Sequence, residues 1–156
     1  MAYRAKTIAE YFLLLAKEQG EAITPLKMQK LIYFAHGWNL AIQGVPLVNE
    51  DVKAWPYGPV IPSIYAAYKK YGRLAIPADK ECEKIDEGLQ GDTSTTTILN
   101  KVWDVYRKFT AFQLSNMTHE PGTPWQKTNT EDTISNEEIR KYFLEQGRQN
   151  KDKAHT

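Results

Sequence analysis

Thr24 to Gly44 reads TPLKMQKLIYFAHGWNLAIQG, and it limits the possible folds more than any other stretch of the chain. Thr24 suits a helix N-cap and Pro25 the first helical position, while Gly44, just before Pro46, suits the residue that ends a helix. Between these bounds Met28, Leu31, Ile32, Ala35, Trp38 and Ile42 share one face, and Leu26, Tyr33, Phe34, Leu40 and Ala41 spread round much of the rest. A helix that is apolar on most sides has to be surrounded by other elements. The expected fold is therefore mainly α (α+β): a compact helical domain with this helix at its centre and a small antiparallel β element.

Other helices are marked by their own start and stop signals. Thr7 with Glu10 reads as a capping box, after which Ile8, Tyr11, Phe12, Leu15 and Ala16 repeat at helical spacing until Gly20. Val48 to Trp55 reads as a short strand, and Pro62 as the start of a helix over Ser63 to Tyr71 that stops at Gly72. The pattern weakens between Gly72 and Thr97, where Glu83 to Asp86 offers a further small strand. Ile98, Val102, Val105, Tyr106 and Phe109 return to helical spacing, and Thr110 with Gln113 caps the next helix, through Met117. Ser135 with Glu138 caps a last helix carrying Ile139, Tyr142 and Phe143, up to Gly147. Residues 1–147 are thus expected to form one domain, and residues 148–156, without an apolar anchor, a mobile C-terminal tail.

Composition narrows the function. A chain of 156 residues can bury about 68–70% of its unfolded surface, enough for a core without disulfides or metal. The 20 Lys and Arg nearly balance the 19 Asp and Glu, so there is no electrostatic footprint for nonspecific binding to nucleic acid or to an anionic membrane. The lone cysteine, Cys82, rules out an intrachain disulfide and fits a reducing compartment. No apolar run approaches the ~20 residues of a membrane span, and the N-terminus lacks a signal-peptide h-region. The cytoplasm is the expected location.

Motifs for chemistry are missing. The sequence has neither a Walker-type loop nor G-x-G-x-x-G, and no G-x-S-x-G elbow surrounds its serines. His119-Glu120 begins like a zincin motif, but Pro121 and Gly122 follow and there is no second His four residues on. Catalytic residues, cofactors and metals are accordingly not expected. Lys27 and Lys30 open the central helix without the second helix of a DNA-binding pair, so direct nucleic-acid binding is not expected either.

Any partner must be met by shape. Lys53 to Tyr65, KAWPYGPVIPSIY, holds Pro56, Pro59 and Pro62 in a spacing that suits a polyproline ligand or a stiff loop. A strand before it, a helix after it and inward-facing Val60, Ile61 and Ile64 favour the stiff loop. Trp55 and Tyr57, at the strand end and in the loop, are the preferred partner contacts, with Lys53 as a charged rim. Gln29, His36 and Gln43, seven apart, form a polar stripe on the central helix. That stripe is either a solvated edge or helix-to-helix seam, or a second partner-binding candidate, as is the surround of His119. Trp38 and Trp125 read as core or satellite aromatics.

Three segments, in order, carry a resemblance: Leu26 to Gly72, with L-K-x-Q-K-L and A-W-x-Y-G-P-V; LSNMTHEPGTPW, Leu114 to Trp125; and ISNEEIRKYF, Ile134 to Phe143. The chain resembles the SocA-like antitoxin domain family, also called Panacea and described as phage-associated GepA-like proteins. The resemblance implies a mostly helical, non-enzymatic domain that acts as the antitoxin of a two-gene toxin–antitoxin pair. Such a protein neutralises its cognate toxin by binding it directly or, in an adaptor version, by delivering it to an ATP-dependent protease. Some members carry an additional DNA-binding domain, which is not expected here because the first helix begins within ten residues of the start. The alternative reading is a nucleic-acid-binding regulator encoded on a phage or mobile element.

Overall fold

The computed structural model describes residues 2–155, with side-chain surroundings through residue 151. Thr156, the last residue of the expected tail, lies outside the described residues. The central element is α2 (Pro25–Gln43), with the sidechain of Thr24 accepting a hydrogen bond from the Lys27 N–H and Gly44 in the left-handed region at φ 74°. Around it stand α1 (Ala5–Glu18), the hairpin of β1 (Lys53–Trp55) and β2 (Gly58–Val60), and α3 (Pro62–Tyr68), which a 3₁₀ turn extends to Tyr71. Then follow the short α4 (Ala78–Glu81) and α5 (Glu87–Gln90), α6 (Thr93–Tyr106), α7 (Ala111–His119), the single-turn α8 (Pro124–Lys127) and the long α9 (Asn136–His155). α2 touches α1, α3, β2, α6, α7 and α9, so the helix that is apolar all round is the hub, as expected. Leu31, Ile32 and Ala35 are fully buried.

α9 packs along α2 most extensively, and Gly37 is what allows it. A Cβ at that position would sit 2.2 Å from Cε2 of the buried Phe143. A glycine inside an otherwise strong helix pattern marks such a close approach. Gly37→Ala gains about 1 kcal/mol in helix propensity, but the overpacking costs about 1–3 kcal/mol and displaces Phe143. The expected net result is a lower melting temperature, measurable by circular dichroism. An unchanged or higher one would mean that Phe143 has room to move.

Several local expectations are corrected. The first helix starts at Ala5, before Thr7, because the cap comes from far along the chain: Glu50 Oε2 accepts from the Ala5 N–H at 2.6 Å. Val48 is not part of the strand but bridges Tyr3, and the strand shrinks to Lys53–Trp55. Glu83 to Asp86 forms no strand, since Asp86 turns the chain into α5 by accepting from the Leu89 N–H at 3.1 Å. Ile42 is 65% exposed, lying at the end of α2 beyond the core. The last helix does not stop at Gly147: the segment read as a tail is helical as far as His155. Gly147 sits where an added Cβ would be 3.5 Å from Trp38, so its missing side chain serves contact between helices and not termination.

A candidate partner-binding face at the hairpin tip

β1 and β2 pair antiparallel, with Lys53 opposite Val60, Ala54 opposite Pro59 and Trp55 opposite Gly58. Pro56 and Tyr57 make the turn between them. Pro56 disposes Trp55 to an extended backbone, and Gly58 takes φ 114°, a conformation closed to most side chains. Tyr57 is left 74% exposed at the tip.

The hairpin is braced from below by the two residues that open the second turn of α2. Gln29 pairs fully with the backbone of Ile61, its Nε2 donating to the carbonyl at 3.1 Å and its Oε1 accepting from the N–H at 2.9 Å. Lys30 is fully buried, with Nζ donating to the Pro59 carbonyl at 3.2 Å. A Cβ at Gly58 would lie 2.6 Å from that Nζ, 2.9 Å from Thr118 Oγ1 and 3.3 Å from His119 Cε1. Gly58 therefore lets the strand settle onto α2 and α7 at once. From the side, Trp125 Nε1 donates to the Trp55 carbonyl at 2.7 Å, and the His119 ring lies against that of Trp125 at 3.9 Å. His119 Nδ1 is 2.5 Å from the Ser115 carbonyl and Nε2 is 3.3 Å from the Pro56 carbonyl. Trp55, half-buried, meets Tyr65 edge-on at 5.2 Å, and Tyr65 is 50% exposed. At the other end of the strand Lys53 Nζ donates to Thr133 Oγ1 at 2.8 Å.

The structure thus brings together Lys53, Trp55, Tyr57 and His119 around one hairpin. The polar stripe goes elsewhere: Gln29 and His36 turn inward, while Gln43 stays half-buried. Gln29 is spent on Ile61. His36 is fully enclosed; its Nδ1 accepts from the Val48 N–H at 3.4 Å, so Nε2 carries the proton and donates to Asn136 Oδ1 at 2.9 Å, at the start of α9. Burial holds His36 below its ordinary pKa, with the Asn136 bond acting in the opposite direction. Gln43 donates to Asn39 Oδ1 at 2.6 Å and to Thr95 Oγ1 at 3.1 Å. The stripe is a seam joining α2 to its neighbours.

Sequence reasoning missed Lys30 and Tyr65. A lysine on a helix with almost no solvent-facing side was the available signal for the first; for Tyr65 nothing distinguished one Tyr of α3 from another. Burial lowers the Lys30 pKa from 10.5 to about 7. Between those values the unfolded chain binds the proton that the native state has released, so stability rises with pH through this window, by up to about 1.4 kcal/mol per pH unit. Melting temperatures are expected to climb from about pH 7 to pH 9, and Lys30→Met, of similar volume, to flatten that climb. Parent and variant with the same pH profile would contradict a desolvated amine at this position.

Cys82 is buried and desolvation raises its thiol to about 11, the reverse of an activated nucleophile. Among the described residues no group of three or more His, Cys, Asp or Glu side chains could hold a metal ion, and no helix is long and apolar enough to cross a membrane.

The segments that meet at the hairpin, from α2, from β1 and β2 and from the end of α7, lie within residues 28–126, which match the Antitoxin SocA-like, Panacea domain. The chain belongs to this family of antitoxins. One relative, Antitoxin SocA of Caulobacter vibrioides (strain NA1000 / CB15N), is 32% identical over 127 residues, covering 78% of this chain and 68% of the relative. No solved structure gives a significant match.

Proposed function

We propose that this chain is the antitoxin of a two-gene toxin–antitoxin system and that it neutralises a cognate toxin by direct protein–protein binding at the hairpin face. Family membership supports the role. The observation that carries the location is Tyr57, 74% exposed on a turn whose supporting backbone is held by Gln29, Lys30 and Trp125. An exposed aromatic on a rigid support loses little entropy on binding, which is what an interface anchor requires. A toxin-sized partner covers about 1,600 Å² in total, so the hairpin is the centre of a larger contact, with Trp55, Tyr65, His119 and Lys53 around it. The work of such an antitoxin is in the cytoplasm, in keeping with a free, buried thiol.

The test is to co-express the neighbouring gene's product with a tagged form of this chain and purify the complex. A stoichiometric complex that persists at high salt supports the reading. A chain that leaves the toxin behind and instead holds nucleic acid, with affinity falling steeply as salt rises, would favour a regulator. Toxin that disappears in normal cells but accumulates as a complex in cells lacking an ATP-dependent protease would identify the adaptor version, in which direct binding is the first step.

A further inference from the structure

Two adjoining hollows lie apart from the hairpin tip. The larger, about 740 Å³, is a groove between the C-terminal half of α2, α6 and α9, lined chiefly by Trp38, Ile42, Ile98, Val102, Val105 and Tyr106. The smaller, about 140 Å³, is bounded by the rings of Phe34, Trp38, Tyr106, Tyr142 and Phe143 and by Glu120 from the end of α7. Trp38 and Tyr106 border both, so the two form one continuous surface. Its walls are set in advance. Trp38 Nε1 donates to the Tyr106 hydroxyl at 2.9 Å, Phe34 stacks on Tyr106 at 4.4 Å, and Phe143 meets Trp38 and Tyr142 edge-on at 5.1 and 5.3 Å.

Charge says what such a surface takes. Among the described lining residues, the one ionic side chain of the groove is Lys101 and the one of the small hollow is Glu120. Phe34 and Phe143 are buried, so the rings open to the hollow are those of the half-buried Trp38, Tyr106 and Tyr142; an aromatic ring with a carboxylate beside it attracts an ammonium or guanidinium group. Tyr142 responds to the same field: burial first, and then the charge of Glu120, raise its phenol above the ordinary value. The groove, with Ile42 65% and Val105 36% exposed, offers apolar area with no partner of its own. Glu120 directly follows His119 in the chain, so one short segment after α7 supplies a residue to each of the two surfaces.

We propose that the groove and hollow receive one segment of the toxin, apolar residues lying along the groove and an Arg or Lys side chain entering the aromatic hollow against Glu120. An acidic residue of the same segment faces Lys101. The inference rests on the antitoxin reading and extends the contact beyond the hairpin.

Its test uses the toxin encoded beside this chain, with Glu120→Lys and Val105→Asp, and a thermal melt of each variant confirms that it is folded before binding is read. Glu120→Lys is expected to weaken toxin binding at least 30-fold and Val105→Asp at least tenfold. Reversing the toxin's matching Arg or Lys to Glu restores binding to Glu120→Lys but not to Val105→Asp. If both variants bind like the parent while Tyr57→Ala does not, the groove is outside the interface. A parent that sediments as a dimer and becomes monomeric on Val105→Asp would show that a second copy covers the groove, which also overturns the proposal. A parent that binds no toxin at all fails earlier, on the antitoxin reading itself.

Discussion

Ala35→Asp is expected to yield no soluble folded protein. Ala35 is fully buried at the middle of α2, the element against which α1, α3, β2, α6, α7 and α9 all pack. A carboxylate there has to be desolvated among Leu31, Ile32 and the other core side chains. Leaving a buried charge uncompensated costs about 3–5 kcal/mol, and the added volume has no room to expand into. Against a total stability of about 5–15 kcal/mol this removes most or all of the margin, and it does so at the hub. Expression at low temperature followed by size-exclusion chromatography and circular dichroism reads the outcome. A monomeric, cooperatively melting Ala35→Asp protein would contradict the placement of α2 at the centre.

Tyr57→Ala should weaken toxin binding by about 2 kcal/mol or more, roughly 30-fold, while leaving stability almost untouched. The two effects separate because the ring is outside the core: at 74% exposure its removal opens no cavity, whereas truncating a buried aromatic ring costs about 3–5 kcal/mol. Neighbouring residues give contrasting patterns. Trp55 is half-buried against Tyr65, so its truncation should lower both affinity and melting temperature. Calorimetric titration with the toxin and a thermal melt, run on the same preparations, distinguish these cases. Full neutralisation by a Tyr57→Ala protein as stable as the parent removes the hairpin tip from the functional surface.

What was legible in the sequence was mostly local. Thr24, Pro25 and Gly44 encode the ends of α2 through geometry that each residue imposes on its own backbone, and Thr110 with Gln113 closes a capping box within one turn. The stiffness of the Pro56 to Pro62 segment and the exposure of Tyr57 follow from similarly short-range constraints. Failures occur where a distant residue decides. Ala5 is capped by Glu50, 45 positions away, so the Thr7 signal was overridden. For Gln29 and His36 periodicity leaves a solvated edge and a helix-to-helix seam both open, and it takes Ile61, Val48 and Asn136, distant in sequence, to satisfy them inside the fold. Gly147 has the chemistry of a helix stop, but contact with Trp38 gives it a place within α9. Glu120 is unremarkable in sequence and gains meaning only when α7 carries it to the rings of α2, α6 and α9.

The measurement that bears most directly on the central claim is growth. The gene beside this one is placed under an inducible promoter, alone and together with this chain. If the chain is an antitoxin, induction of the neighbour alone arrests growth, co-expression of the parent restores it, and Tyr57→Ala at equal abundance restores it less well. A neighbour that is harmless by itself, or one that still arrests growth when the folded parent chain is present in excess, would contradict the account.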